Sequence, residues 1–597
     1  MVFFVVAMAA IGAWAATETV NGITWTYTVS GGSATITDVP TYIPNQVEIP
    51  QSLNGYQVTG IDSWAFSGCN RIKSINIPSS VTRIGNGAFS GCSSLTDIVI
   101  PLSVRTIGSY AFRNCSSLEY LTIPASVSII ADYTFEGCIG LKEITLPVTI
   151  TSIGYRSFYG CSALQTLNIP STVTSIGYDA FDACDGLQNV TVSSDIDIDD
   201  TFGDSWRNIS SLTLGEGVTR LPSLYNCSKL TTLSLPASLG RGEYQWQVNQ
   251  WQVSYYISQC SSLTTISVAA GNPYYKVSGG LLLTKDGSEI VAVPKGRTWV
   301  DIPDSVTSVP SGIFSDCQHL YAEHSIPGLR IVDGWVVGCD WDYVEGPRPP
   351  SILNLTGVCG IANGAFSGCE GLKNVIIGEG VRTIGSYAFD ECYDLESISI
   401  SSSVRTIGEY AFDYCFRLKS ITVASGNAAY EFTGGLLISK DKTQLVAASR
   451  EVSTVKIPEG VREIPGGFFA GCNKLTSVSI PSSIDEDGIG DDGPVFSCGY
   501  ERYDEVTDEW YEETIGCPNL KTITVASGNP YYKSIGGMLC SVYVDSCWDR
   551  YWVVVSLETV PQALTSVTIP EGVTDVDSAA FDGCAKVKTI SIPESVT

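Results

Sequence analysis

Apolar residues recur along the chain at a fixed interval of 23 residues. Two neighbouring stretches share one sequence motif: IGNGAFSGCSSLTDIVIPLSV from Ile84 and IGSYAFRNCSSLEYLTIPASV from Ile107. The interval is kept by isoleucine at positions 61, 84, 107, 130, 153 and 176, by phenylalanine five residues later and by cysteine eight residues later, and it resumes at Ile361, Ile384 and Ile407. Self-similarity at a period of about 20 to 29 residues predicts a solenoid.

Each repeat contains one stretch with the alternation of a half-buried strand. In Leu95-x-x-Ile98-x-Ile100-Pro101 the apolar side chains point inward at every second position, and the proline ends the strand. The following Val-Thr-x-Ile-Gly-x-x-Ala-Phe stretch is too short and too glycine-rich for a full helix. We therefore predict a repeat solenoid with a parallel β-ladder on one face and short turns or single helical turns on the other.

The repeat is interrupted by inserts and preceded by a different segment. Three inserts share a Val-Ala-x-Gly-Asn motif: residues 268–300, 423–450 and 525–562. We interpret each as a β-hairpin inserted into a coil. Residues 240–258 and 485–515 are further hairpin or loop inserts. Residues 17–60 are predicted to form an N-terminal β-hairpin cap on a solenoid spanning residues 61–597, whose last unit stops midway, so we expect a truncated C-terminus.

The repeat motif resembles the 23-residue repeats of the BspA-like (Treponema-type) leucine-rich repeat surface proteins, and the resemblance covers about residues 61–597. Members of that family are associated with adhesion to host matrix proteins and with bacterial coaggregation. The resemblance implies a secreted or cell-surface protein that mediates adhesin-like protein–protein interactions with extracellular or host proteins, or with glycans. The alternative is a passive structural stalk or spacer that presents a missing C-terminal domain or anchor.

The N-terminus and the net charge narrow the location and the partners. Residues 1–16, MVFFVVAMAAIGAWAA, form a short apolar run ending in a small-x-small pattern, which predicts a signal peptide, although no Lys or Arg precedes the run. No later stretch holds the roughly 20 apolar residues of a membrane-spanning helix. The formal net charge of -28 argues against nucleic acid as a partner.

Cysteine is abundant, but its placement favours packing over bridging. Of 20 cysteines, 15 hold the repeat position, where side chains in register are poorly oriented for disulfides, so we expect buried thiols. Five lie off the ladder: Cys339, Cys359, Cys498, Cys540 and Cys547. The pairs Cys339/Cys359 and Cys540/Cys547 are close enough in sequence to bridge, and either could also remain reduced.

The sequence contains few of the motifs that indicate a catalytic, metal-binding or cofactor-binding site. His319 and His324 are the only histidines and no Cys-x-x-Cys occurs, which argues against zinc sites and His-dependent nucleophiles. A formal Gly-x-Gly-x-x-Gly at Gly488, Gly490 and Gly493 lies among acidic residues that repel phosphate. We expect no enzyme, no cofactor and no metal site.

Two surfaces are candidates for partner contact. The outward residues of the predicted ladder, such as Asn76 and Thr122, form a stripe of small polar groups without the anchors typical of hot spots. Aromatic residues gather instead in the inserts, where they either contact partners or pack back onto the solenoid. The candidate contacts are Trp246, Trp251, Tyr255, Trp341, Tyr343, Tyr503, Trp510, Tyr511, Trp548 and Trp552.

Overall fold

A computed structural model describes residues 15–196, 198–225, 227–240, 250–322, 325–341, 347–486, 488–490, 494–504, 509–547 and 550–596. The chain divides into two compact units, residues 1–303 and 304–597, and each contains stacked coils of a solenoid. The predicted repeat solenoid is confirmed. The predicted signal peptide lies almost wholly outside the described residues, and its last two residues, Ala15 and Ala16, begin strand β1.

The predicted strand forms the main ladder in both units. In β9 the central Ile98 is buried while Asp97 and Val99 face solvent, and neighbouring coils pair in parallel without a shift, as in Ile75 with Ile98. In unit 1 the main-ladder strands are β4 (Gln46–Glu48), β7 (Ser74–Asn76), β9 (Asp97–Val99), β11 (Tyr120–Thr122), β13 (Glu143–Thr145), β15 (Thr166–Ile169), β17 (Asn189–Val192), β18 (Ser211–Leu214), β19 (Thr232–Leu235) and β20 (Thr265–Val268). In unit 2 they are β26 (Leu353–Asn354), β28 (Asn374–Ile377), β30 (Ser397–Ile400), β32 (Ser420–Val423), β36 (Thr454–Lys456), β37 (Ser477–Ile480), β40 (Thr522–Val525), β44 (Ser566–Thr568) and β46 (Thr589–Ser591).

The return path was expected to consist of short turns or single helical turns, and in several coils it also carries a second, two-residue parallel ladder. Thr106 pairs with Arg83 and Ile107 with Ile84, with the isoleucines turned inward. β-Branched residues favour this extended backbone, and the following glycine ends it. The second-ladder strands are β8 (Arg83–Ile84), β10 (Thr106–Ile107), β12 (Ile129–Ile130), β14 (Ser152–Ile153), β16 (Ser175–Ile176), β27 (Gly360–Ile361), β29 (Thr383–Ile384), β31 (Thr406–Ile407) and β45 (Asp575–Val576).

The segment before the repeats forms a small sheet at the start of unit 1. Its strands are β1 (Ala15–Val20), β2 (Ile23–Ser30), β3 (Ser33–Asp38), β5 (Ser52–Leu53) and β6 (Tyr56–Ile61). Strands β2 and β3 form an antiparallel hairpin across the Gly31-Gly32 turn. Strand β3 also pairs in parallel with β6. Trp25 is fully buried and packs its ring edge on Phe66, with centroids 6.1 Å apart.

The three related inserts contain three antiparallel strands each, one more than the predicted hairpins. They are β21 (Tyr275–Ser278), β22 (Leu281–Thr284) and β23 (Ile290–Ala292); β33 (Tyr430–Thr433), β34 (Leu436–Ser439) and β35 (Leu445–Ala448); and β41 (Tyr532–Ile535), β42 (Met538–Cys547) and β43 (Arg550–Thr559). The insert at 485–515 contains the hairpin β38 (Ser497–Asp504) and β39 (Glu509–Gly516), and a further hairpin joins β24 (Leu329–Val332) to β25 (Trp335–Cys339).

The expectation of a hairpin or loop over residues 240–258 is wrong for its second half, which is helix α2 (Gln250–Ser258). No glycine or proline interrupts residues 243–258, and the buried Val253 and Ile257 are four residues apart, the spacing of one helix face. The other helices are short: α1 (Ile198–Phe202), followed by a 3₁₀ turn at Gly203–Asn208, and a 3₁₀ turn at Gln318–Leu320.

A continuous stack of phenylalanine rings fills the centre of unit 1. Phe112 lies between Phe89 and Phe135, with ring centroids 5.4 and 5.5 Å apart, and is fully buried. Beside the stack, five ladder thiols each donate to the carbonyl of the phenylalanine 26 residues earlier, at 3.1–3.3 Å: Cys92, Cys115, Cys138, Cys161 and Cys184. The expected role of these cysteines as buried core residues is confirmed.

Neither proposed disulfide pairing fits the structure. Cys540 and Cys547 lie in one extended strand, β42, and seven residues at about 3.3 Å each separate them far beyond bridging distance. The thiol of Cys359 lies 3.6 Å from the carbonyl oxygen of Asp333, whereas the thiol of Cys339 lies 2.8 Å from that of Cys369. Sequence proximity therefore selected the wrong neighbour for Cys339.

Candidate partner-binding surface

A row of aromatic rings, exposed at Trp64 and half-buried at its tyrosines, runs across successive coils of unit 1 on the turn after the second ladder. Trp64, Tyr110 and Tyr133 stand three residues after the ladder isoleucine of their coils, and Tyr155 stands two residues after it. The rings of Trp64 and Tyr110 stack at 6.2 Å, those of Tyr110 and Tyr133 stack at 4.7 Å, and Tyr155 meets Tyr133 edge-on at 5.2 Å. We call these four residues the aromatic row.

The row crosses one coil that has no side chain of its own at this position. Trp64 and Tyr110 are two coils apart, and the coil between them carries Gly87. The indole of Trp64 lies directly over Gly87, so that any Cβ there would collide with the indole. The missing side chain of Gly87 thus leaves room for the large ring of Trp64. Trp64 is 52% exposed.

The backbone at this position has a left-handed conformation. Trp64, Tyr110 and Tyr133 have φ angles of 64°, 62° and 56°, and the glycine of the intervening coil, Gly87, has a φ of 59°. Residues other than glycine adopt this conformation at a cost of about 1–2 kcal/mol. Aromatic side chains therefore occupy a position where glycine would be less strained, and such strain is concentrated at functional surfaces.

A pair of charged residues lies next to Tyr155, the last residue of the row. The guanidinium of Arg156 lies over the Tyr155 ring, 5.3 Å from its centroid, and donates to Asp179 at 3.0 and 2.8 Å. Desolvation raises the pKa of Tyr133, with smaller contributions from the phenols of Tyr155 and Tyr110. Neutral phenols at physiological pH can both donate and accept hydrogen bonds.

Unit 2 repeats the arrangement on a smaller scale. Tyr387 and Tyr410 occupy the same repeat position with φ angles of 57° and 55°, and their rings stack at 5.2 Å. Tyr387 is 47% exposed. The preceding coil again has glycine here, Gly364, with a φ of 62°. Glycine and aromatic residues thus recur at this position in coils of both units, while Arg156 and Asp179 occupy it in two further coils of unit 1, with φ angles of 48° and 56°.

The sequence profile described as the BspA type leucine rich repeat region matches the chain in six copies, over residues 45–142, 128–246, 352–432, 443–490 and 561–597. These segments make up more than half of the chain. The chain belongs to the BspA-type leucine-rich repeat family. No curated protein sequence matches it.

Several solved structures are similar to this BspA-type protein. A leucine-rich repeat protein from Bacteroides ovatus is 22% identical, with 79% of this chain and 96% of that chain covered and a TM-score of 0.26. A leucine rich cell surface protein from Faecalibacterium prausnitzii is 18% identical, with coverages of 97% and 95% and a TM-score of 0.24. The leucine rich repeat protein of T. pallidum is 24% identical, with coverages of 34% and 87% and a TM-score of 0.24.

The aromatic residues predicted as contacts lie in several different elements of the BspA-type chain. Trp246, Tyr343 and Trp548 fall outside the described residues. Trp251 lies in α2 and Trp552 in β43, while Tyr503 and Trp510 are paired opposite each other across the β38–β39 hairpin, next to Tyr511 paired with Arg502. The structure therefore brings Tyr503 and Trp510 together on one hairpin.

Two predicted contacts have described side chains, and they differ. Tyr255 is 40% exposed on α2, with its ring 5.8 Å from that of Tyr256. Trp341 is half-buried, stacks on the buried Phe366 at 5.7 Å and donates its indole N–H to the carbonyl of Pro327 at 2.8 Å. Tyr255 is thus available to a partner, whereas Trp341 packs largely against its own solenoid.

Metal binding and membrane insertion each require a recognisable arrangement of residues. Among the residues with described placement, no group of three or more His, Cys, Asp or Glu side chains is arranged to hold a metal ion. In the same part of the chain, no helix is long and apolar enough to cross a membrane. What the aromatic row does offer is apolar ring area with phenolic hydroxyl groups beside it, a combination typical of protein interfaces.

Sequence reasoning missed the aromatic row, although the signal was present. The words Ile-Gly-Ser-Tyr-Ala-Phe occur at 107–112 and again at 384–389, with the tyrosine in the unassigned middle of the repeat. Tyr133 and Tyr410 keep the same spacing. The 23-residue recurrence of tyrosine at the third position after the ladder isoleucine is the sequence signal for the row.

Proposed function

We propose that this BspA-type protein is a secreted or cell-surface protein whose solenoid binds partner proteins in an adhesin-like manner, with the aromatic row as its main contact surface. The aromatic row is the main support for this proposal. Its members Trp64, Tyr110 and Tyr133 have a left-handed backbone at a position where a neighbouring coil has glycine, Gly87. Tyrosine and tryptophan bury large areas at low entropic cost and are enriched at interfaces.

The alternative of a passive stalk does not account for this surface. A spacer needs a stable core and a solvated exterior, and Phe112 and its neighbours supply the core two residues beyond the row position. A left-handed aromatic residue such as the exposed Trp64 or the half-buried Tyr110 adds nothing to such a spacer that glycine would not provide. The aromatic row therefore supports a binding role over a purely mechanical one.

The test is partner binding by variants that remove the rings without straining the backbone. Tyr110→Gly and Tyr133→Gly, combined in one full-length chain, reproduce the residue that Gly87 already provides. Binding is measured by biolayer interferometry against an array of immobilised extracellular-matrix proteins, each in native and enzymatically deglycosylated form. We expect the double variant to lose at least tenfold in affinity, about 1.4 kcal/mol, for any protein that the wild type retains.

The matched control is Tyr120→Ala, which removes an equally large ring, 59% exposed, from the main ladder strand β11. This variant should bind as the wild type does. Equal loss in both variants, or no loss in the double variant, would contradict the assignment to the aromatic row. Loss of binding only on deglycosylation would identify the recognised group as a glycan.

The aromatic inserts are tested separately, because they are a second candidate surface. Alanine substitutions at Trp246, Trp251 and Trp510 in one chain should weaken binding if the inserts contribute, and should have no effect if the row acts alone. If neither the row variant nor the insert variant changes the retained partners, the binding proposal fails and the stalk remains.

A further inference from the structure

One ladder cysteine in unit 2 has a second thiol, and not a backbone carbonyl, as its hydrogen-bond partner. The ladder cysteines Cys392 and Cys415 each donate to a phenylalanine carbonyl 26 residues earlier, at 3.2 Å. The ladder cysteine before them, Cys369, instead has the off-ladder thiol of Cys339 at 2.8 Å, 30 residues away in sequence. A disulfide bond is about 2.0 Å long, so the two sulfur atoms lie less than 1 Å from bonding distance.

The surrounding structure brings these two thiols together. Cys339 ends strand β25, whose parallel neighbour β27 belongs to the coil that contains Cys369. Two residues further on, Trp341 stacks on Phe366 at 5.7 Å, which fixes the same segment against the same coil. The thiol separation is thus set by β-pairing and ring packing on either side of Cys339.

We propose that Cys339 and Cys369 form an intramolecular disulfide when the protein meets an oxidising disulfide, with Cys339 as the attacking thiol. The pair would join the β24–β25 hairpin covalently to the first regular coil of unit 2. Cys339 is half-buried and Cys369 fully buried, so an external reagent reaches Cys339 first.

The electrostatics agree with this order of events. The pKa of Cys339 is lowered, chiefly by the hydrogen bond from Cys369, with smaller contributions from the backbone of Trp341 and the charge of Arg330, while burial acts in the opposite direction. The pKa of Cys369 is raised, first by its bond to Cys339 and then by burial. The thiolate is the nucleophile in exchange, which favours attack by Cys339.

The exchange balances with a small-molecule disulfide as the oxidant. The Cys339 thiolate attacks one sulfur of the oxidant, forms a mixed disulfide and releases the first small thiol. Cys369 then loses its proton and attacks Sγ of Cys339, which releases the second small thiol. The two cysteines lose two electrons and two protons in total, and the oxidant gains both.

The test is peptide mapping of the full-length chain after equilibration with oxidised glutathione, alkylation of free thiols in denaturant and digestion without reductant. Trypsin is unsuitable, since Arg348 precedes proline and residues 331–373 hold Cys339, Cys359 and Cys369 in one peptide. Chymotrypsin cleaves after Leu355 and Phe366 and so separates the three. We expect one linked species that joins Cys339 to Cys369, two hydrogens lighter than the separate peptides, and lost on reduction.

The variants decide between this pair and its competitors. Cys359→Ser should keep the linked species, and Cys339→Ser should abolish it while Cys369 is recovered alkylated. Recovery of a Cys339–Cys359 link, of Cys339 bound only to glutathione, or of both thiols alkylated in the wild type would overturn the proposal. Because the wild-type map alone gives the answer, a folding defect in Cys339→Ser leaves the test intact.

Discussion

A buried asparagine should control how the second related insert docks onto its coil. The side chain of Asn427 is 1% exposed, and its amide donates to the carbonyls of Ser401 at 2.8 Å and Val404 at 3.1 Å. Its carbonyl accepts from the backbone N–H groups of Ala429 and Tyr430, both at 2.8 Å. Replacement by alanine removes four hydrogen bonds at once and leaves their partners buried.

The expected cost follows from the number of bonds. A hydrogen bond contributes about 1 kcal/mol net, so Asn427→Ala should destabilise the docked insert by about 3–4 kcal/mol. Asn427→Asp should cost at least as much at neutral pH, since it places a carboxylate oxygen against the two carbonyls that the amide now satisfies. Asn272 and Asn529 make the same four bonds in the other two inserts, so the effect should recur there.

Hydrogen exchange read by mass spectrometry measures this locally, which suits a repeat protein that unfolds in parts. Amides of β33–β35 should exchange about 100-fold or more faster in Asn427→Ala, since each 1.4 kcal/mol is a factor of ten. The control is Asn76→Ala, an exposed asparagine on β7 that should leave exchange unchanged. Protection in β33–β35 within threefold of wild type would refute the role assigned to the asparagine.

Three further predictions concern stability. Phe112→Ala, in the fully buried stack, should cost about 3–5 kcal/mol in a urea unfolding titration of the full chain. Burial raises the pKa of the half-buried Asp390 to about 7, so its stabilising contribution is complete below about pH 4 and lost as pH rises towards 7. Asp390→Asn should therefore match wild type near pH 4 and exceed it by about 2 kcal/mol near pH 8, with exposed Asp97→Asn neutral throughout. At the left-handed Tyr133, glycine should be more stable than alanine by about 1 kcal/mol by the same titration, the reverse of the usual order.

The parts of the fold that sequence predicts are those where burial alternates along the chain. In β9 one buried residue lies between two exposed ones, so the period of two is visible without a structure. The second ladder has two residues per strand, as in β10, and no alternation can be recognised in so short a segment. Strand β34 has four consecutive buried residues and therefore shows no alternation either, which explains why its insert was read as a hairpin.

Placement in three dimensions is what sequence spacing could not supply. Cys339 and Cys359 are nearer in sequence, yet parallel pairing of β25 with β27 puts Cys339 against Cys369. In the same way, Tyr110 and Tyr133 keep the 23-residue period in the sequence, but sequence spacing does not reveal that both have a left-handed backbone and that their rings stack at 4.7 Å. Pattern analysis detects which residues repeat, while the local backbone conformation decides whether they face the core or solvent.

The geometry of the coil also separates the row position from the core. Tyr110 is half-buried, whereas Ala111 and Phe112, the next two residues, are fully buried. Because the left-handed Tyr110 lies outside this buried pair, we expect a substitution at the row position to leave the core in place. Because the coils stack at close to strand spacing, rings placed there lie in contact, 4.7 Å apart for Tyr110 and Tyr133. If the row binds partners as proposed, substitutions confined to this one position would alter binding without altering the solenoid that presents it.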